Sequence, residues 1–346
     1  MTARFTERNP AFDVVKALMM LWVIWGHLSL YNVMEPVTSV YMLNAKIGVN
    51  MPVFFVIGGY LAASTFSKAD WAKLISRAVH FMWPQVVVAV FYGTVIALVG
   101  GRGAFSWVME MWFLHTYAII YILAAIVFRF SDTDGKRWAL FIILYAAMLF
   151  WPSRFRIGWF GQVIHMFPYF VFGLMVLKRK ALYLDWRVGC VCGAAYLLAV
   201  FLQGDSSVNG MNFWKVNAHW KVVLFSWHEC ITFFARTAVG IVGSLFLLYL
   251  VNASVGSIPW LSKFSIFGTT SLGVYVIHEY PLYLLGRHCS ILPLPGWSRW
   301  FVAIGIFFLC HFAIALMKRY AFARFAFFGN EKWLADAFRR LKMKGI

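Results

Sequence analysis

The chain has 346 residues, of which 62% are apolar and only 13% charged, with a formal net charge of +18. A soluble domain carries about a quarter charged residues, so this composition excludes a soluble globular enzyme and predicts a multi-span helical membrane protein. The basic residues fall between apolar runs and in the last stretch, so they read as topology signals and lipid attraction, and nucleic acid is not an expected partner.

The first apolar run, Asp13 to Tyr31, reads DVVKALMMLWVIWGHLSLY. No small-residue cleavage site follows it, so it is expected to persist as a span. Lys16 and His27 stand eleven residues apart, which on a helix places them on one stripe about 16 Å apart along the axis. Asp13 falls close to the same line. An imidazole deep in a bilayer is costly to keep and marks a candidate functional site. The plainer alternative is an interfacial i,i+3 ion pair and a satisfied core histidine.

Ten spans are predicted, at about 13–31, 47–66, 79–99, 107–128, 138–152, 160–177, 187–203, 223–251, 264–286 and 298–318. The expected fold is an all-α polytopic membrane helix bundle. Residues 1–320 form the transmembrane domain and 321–346 a basic amphipathic cytoplasmic tail. With the N-terminus inside, 22 Lys and Arg fall on the inner side and 8 on the outer, so both termini are expected in the cytoplasm. Arg299 is counted among the outer eight. The longest outer loop, Gln203 to Val222, reads either as an interfacial loop with Trp anchors or as the rim of a polar-substrate site. Five cysteines lie mostly in apolar runs, without a disulfide framework or metal-ligand spacing, and no metal is expected.

Three further stretches carry polar groups. Asn50 to Leu61, NMPVFFVIGGYL, holds Gly58-Gly59, a pair that lets another backbone approach closely. Lys73 to Pro84, KLISRAVHFMWP, sets Lys73, Arg77 and His80 on one helical face, suited to phosphates or lipid headgroups. Late in the chain, His228-Glu229-Cys230 precedes Arg236, and Ser271 to Glu279 places Tyr275, His278 and Glu279 together. Arg236 needs an intramembrane counter-charge or ligand, and Glu229, seven residues earlier, is a candidate. Four polar places in one bundle predict a polar cavity, for transport or for chemistry.

The phrases, taken in order, resemble the acyltransferase-3 family of integral membrane acyltransferases, and in particular its branch acting on fucose and exopolysaccharide sugars. The matching phrases are Asp13, Lys16 and His27; Met51 to Leu61 (MPVFFVIGGYL); Arg77 to Pro84; Trp112-Phe113-Leu114; and Ser271 to His278 (SLGVYVIH). Three positions depart from the family pattern. Lys16 replaces an arginine, which loses bidentate phosphate geometry; His80 replaces a second arginine; Gly58 replaces a serine.

The resemblance implies an acyl-CoA donor, most simply acetyl-CoA as a substrate rather than a tightly bound cofactor. It implies a glycan or lipid-linked oligosaccharide acceptor at the inner membrane of a bacterium, acylated directly without an appended esterase-like domain. Thioester-to-hydroxyl transfer needs a base, and His27 is the expected one, with a transient acyl-imidazole as the variant. Asp13 and His278 join it in the catalytic group. Lys16, Lys73, Arg77 and His80 are expected to hold the donor phosphates. Trp112, Arg236, Tyr275 and Glu279 are expected to line or orient the acceptor site. The competing class is a transporter or flippase for a polar solute, which commonly shows paired repeats; the sequence has none.

Overall fold

The computed structural model describes residues 9–31, 33–34, 40–66, 71–98, 111–150, 160–178, 181–202, 227–288, 296–320 and 322–323. Among them there are helices and turns and no strand. In chain order the helices are α1 (Pro10–Leu30), α2 (Val40–Phe66), α3 (Trp71–Leu98), α4 (Trp112–Arg129), α5 (Asp134–Phe150) and α6 (Phe160–Phe172). A π-helical turn, Gly173–Leu177, prolongs α6. Then come α7 (Trp186–Leu202), α8 (Trp227–Ser257), α9 (Pro259–Gly268), α10 (Ser271–Ile277), α11 (Glu279–His288) and α12 (Arg299–Met317).

Seven stretches are long and apolar enough to cross a membrane: Pro10–Leu30, Gly48–Phe66, Arg77–Val95, Trp112–Arg129, Phe160–Leu177, Phe233–Ser257 and Gly296–Met317. They correspond to seven of the ten expected spans. Two others, α5 and α7, are 17 residues each. The remaining expected span, 264–286, is three short helices, α9, α10 and α11, rather than one continuous helix.

The breaks have local causes. Ile258 is extended and Pro259 opens α9, where a missing N–H costs nothing. At the end of α9 the Thr269 and Thr270 hydroxyls bond back to the carbonyls of Ile266 and Phe267, at 2.8 and 3.1 Å, in competition with the helix. Pro281 cannot donate to Ile277, so the helix restarts at Glu279 and leaves His278 at the joint.

α1 runs through the middle of the bundle and packs against α2, α8, α9 and α12. α2 crosses α6 by a reciprocal glycine contact. A Cβ on Gly59 would fall on the Phe170 carbonyl, and one on Gly173 on the Val56 carbonyl. Two backbones meet there because neither residue carries a side chain, as the Gly-Gly pair foretells. The buried side chains form two clusters, one around α2, α4 and α6 and one around α1, α10 and α12. Met51, Phe54 and Phe113 pack against both, so they mark the seam between them. Large apolar side chains such as Leu197 and Phe201 of α7 and Phe301 and Phe312 of α12 are exposed, as a lipid-facing rim requires. The loop Gln203–Val222 and nearly all of the 321–346 tail lie outside the described residues.

Candidate functional site

The start of α1 is fixed first. Asn9 caps the helix by accepting from the Ala11 N–H at 2.9 Å, and Pro10 fills its first position. Asp13, buried in the first turn, pairs with Lys16 Nζ at 2.6 Å. Gly268 of α9 lies so close that a Cβ there would fall on the Asp13 carbonyl. Asp13 therefore aims Lys16, and it does so at the end of α1 remote from His27.

Near the other end of α1, His27 meets His278. His27 Nδ1 lies 3.0 Å from His278 Nε2, with the two rings within 20° of parallel. His278 is fully buried, and its Nδ1 lies 2.7 Å from the Tyr275 carbonyl and 3.1 Å from that of Val274. Both partners only accept, so Nδ1 of His278 carries the proton. In the neutral pair, His278 Nε2 then accepts from His27 Nδ1–H, which leaves the lone pair on His27 Nε2. The joint between α10 and α11 thus sets the tautomer of a histidine on α1. Glu279, also buried, follows at once, and the donor atoms of His27, His278 and Glu279 all lie within 4.8 Å of one another. The 3.0 Å separation of the two ring nitrogens is that of a hydrogen bond.

Below this pair lies a cavity of about 180 Å³ at the seam of the two cores. Lys16 contributes its charged wall, α2 contributes positions from Met51 to Leu61, and Phe81, Tyr117, Ser271 and Tyr275 are among the other residues that line it. Met51 and Leu61 are ten residues apart, so the cavity runs about 15 Å along α2. Its lining is mostly apolar and aromatic. Tyr275 is common to cavity and histidine pair: its ring lines the space and lies 5.7 Å from the His278 ring. The Phe113 N–H, free at the start of α4, donates to the Tyr275 hydroxyl at 3.3 Å. Tyr275 therefore touches both the cavity and the histidine pair.

The other expected site residues divide. Arg77 is exposed, bonds the Thr65 hydroxyl and faces Tyr121. His80 sets its ring 6.3 Å from Phe81, a cavity residue. Trp112 opens α4 with its ring against Phe113; its neighbours Phe113, Leu114 and Tyr117, rather than Trp112 itself, line the cavity. Arg236 stands on α8 beside Tyr169 of α6, whose hydroxyl donates to the Arg236 carbonyl at 3.3 Å. The side chains of Lys73, His228 and Glu229 lie outside the described residues.

Three arrangements escape a reading of spacing. Tyr117 packs over Gly58, where a Cβ would strike its ring. Gln85 Nε2 lies 2.9 Å from His115 Nδ1, a buried polar pair between α3 and α4. Arg299, expected in an outer loop, is instead 3% exposed and donates to the Ser29 hydroxyl at 2.7 Å and the Trp25 carbonyl at 3.4 Å. Each depends on which helices meet. The one sequence signal is that an arginine opening an apolar helix needs a partner.

The site thus belongs to a membrane helical bundle with a histidine pair at the last turn of α1 beside a mostly apolar cavity walled on one side by Lys16. The acyltransferase-3 family model, an acyltransferase domain, matches residues 9–317, and the chain belongs to this family. It is 21% identical over 312 residues to the nodulation protein NolL of Sinorhizobium fredii (strain NBRC 101917 / NGR234), covering 76% of this chain and 82% of that one. No solved structure matches it.

Proposed function

We propose that this protein acetylates a hydroxyl of a surface or exopolysaccharide sugar, or of its lipid-linked precursor, with acetyl-CoA as donor, at the inner membrane of a bacterium with both termini in the cytoplasm. The observation that carries the reading is the His27–His278 pair, whose bonding leaves His27 Nε2 basic within one tyrosine of a lysine-walled cavity. His27 Nε2 takes the hydroxyl proton as the oxygen attacks the thioester carbonyl. The tetrahedral intermediate expels the CoA sulfur, which recovers the proton from His27, and the products are the ester and free CoA. Lys16, Arg77 and His80 hold the donor phosphates as charged or polar anchors near the start of α1 and α3. Tyr275 and Glu279 lie beside the reacting groups. Arg236 orients the acceptor from α8.

The test is radiolabelled acetyl-CoA with the full chain in nanodiscs and surface glycans as acceptors, read as acid-stable, base-labile label on the glycan. Ester formation by the wild type and its loss in His27→Ala is the expected result. A carrier or flippase forms no ester, and label-free glycan with intact transport overturns the enzyme reading.

A further inference from the structure

We propose that Tyr117, seated on Gly58, limits the acyl group of the donor to a short one; this rests on the acyl-CoA reading above. Both residues line the cavity. A Cβ at Gly58 would meet ring atoms of Tyr117, with the hydroxyl oxygen at 2.8 Å, so the tyrosine occupies the volume that a side chain on α2 would otherwise fill. Gly58 is thus a receptacle, and the ring it admits forms one wall of the space.

That wall is stiff. Phe81 meets Tyr117 edge-on at 4.7 Å and Phe170 does so at 5.7 Å, while Phe55 lies at 5.8 Å and Phe113 at 6.1 Å. A ring held on several sides does not turn to admit a longer ligand without displacing its neighbours. The space it leaves is small. An apolar cavity of about 150 Å³ takes a six-carbon ring, so about 180 Å³ takes a short acyl thioester with a few adjoining atoms. Lys16 in the lining suits the polar remainder of the donor. A long acyl chain finds its volume already filled by the Tyr117 ring.

Competition binding on the full chain in nanodiscs tests this without a known acceptor. Labelled acetyl-CoA is displaced by unlabelled acetyl-, butyryl- and octanoyl-CoA. The wild type is expected to prefer acetyl- over octanoyl-CoA by more than about tenfold. Tyr117→Ala is expected to narrow that ratio to within about threefold, and Tyr117→Phe, which keeps the ring, to preserve it. Tyr117→Leu serves as a milder opening where the alanine variant does not fold, and it should narrow the ratio in the same direction. If the opened variants bind acetyl-CoA with the wild-type ratio, the wall assignment fails and the acyl-CoA reading stands. If the wild type binds none of the three, both fail.

Discussion

His27 and His278 are 251 residues apart in the chain, yet a single hydrogen bond of 3.0 Å joins their rings. The bond has a direction, set by the backbone carbonyls behind His278. Removing the base, His27→Ala, should cost about 10²- to 10⁴-fold in kcat. His278→Phe should cost about 10²-fold through the tautomer it no longer sets, with KM for acetyl-CoA held within about twofold. His278→Gln, whose side-chain oxygen accepts from His27, should restore part of the rate. Equal loss in the Phe and Gln variants would assign His278 to packing alone.

Transfer should fall on acidification. A proton on His27 fills the Nε2 lone pair directly and leaves the hydrogen bond in place, whereas a proton on His278 Nε2 reverses the bond and moves the His27 proton to Nε2, with the same loss of the base. A pH–rate profile of kcat that is flat across the histidine range would rule out imidazole as the base.

The Asp13–Lys16 pair acts at the opposite end of α1. Lys16→Met should raise KM for acetyl-CoA about tenfold and leave kcat within about twofold. Asp13→Asn, which releases rather than deletes the cation, should move KM the same way by less. Steady-state kinetics with dilute donor separates these from damage to the base.

Tyr275→Phe deletes the hydroxyl that accepts from Phe113, a bond contributing about 1 kcal/mol. The ring remains, so transfer should persist. Tyr275→Ala removes the ring shared by the cavity and the histidine pair and should admit water between them, raising acceptor-free hydrolysis of acetyl-CoA. Free CoA is the readout, and an unchanged background would mean that Tyr275 does not seal the space.

A metal chelator should leave transfer unchanged, because the His27–His278 separation fits a shared proton. Loss of activity with phenanthroline, restored by zinc, would reassign His27, His278 and Glu279 as ligands.

Much of this was legible in the chain. The deficit of charge and the apolar runs give the bundle, and Gly58-Gly59 announces a close crossing that Gly59 and Gly173 fulfil. The His27–Lys16 stripe follows from helical period alone. What escaped has a common cause. Breaks at Thr269 and Pro281 depend on side-chain back-bonding and a proline inside an apolar run, which hydropathy averages away. Tyr117 and Arg299 matter only through helices far off in sequence, as does the pairing of His278 with His27. Spacing within one helix cannot announce a partner on another.

Arg299 carries a consequence for how the helices are held together. It opens α12, yet its guanidinium rests on Ser29 and Trp25 near the end of α1, with its carbon 5.5 Å from the Trp25 ring. A lone guanidinium is costly in hydrocarbon. The contact with α1 gives this buried guanidinium two hydrogen-bond acceptors at the mouth of α12. Arg299 thus ties two helices 270 residues apart into one seam, a buried polar clasp in an otherwise apolar contact.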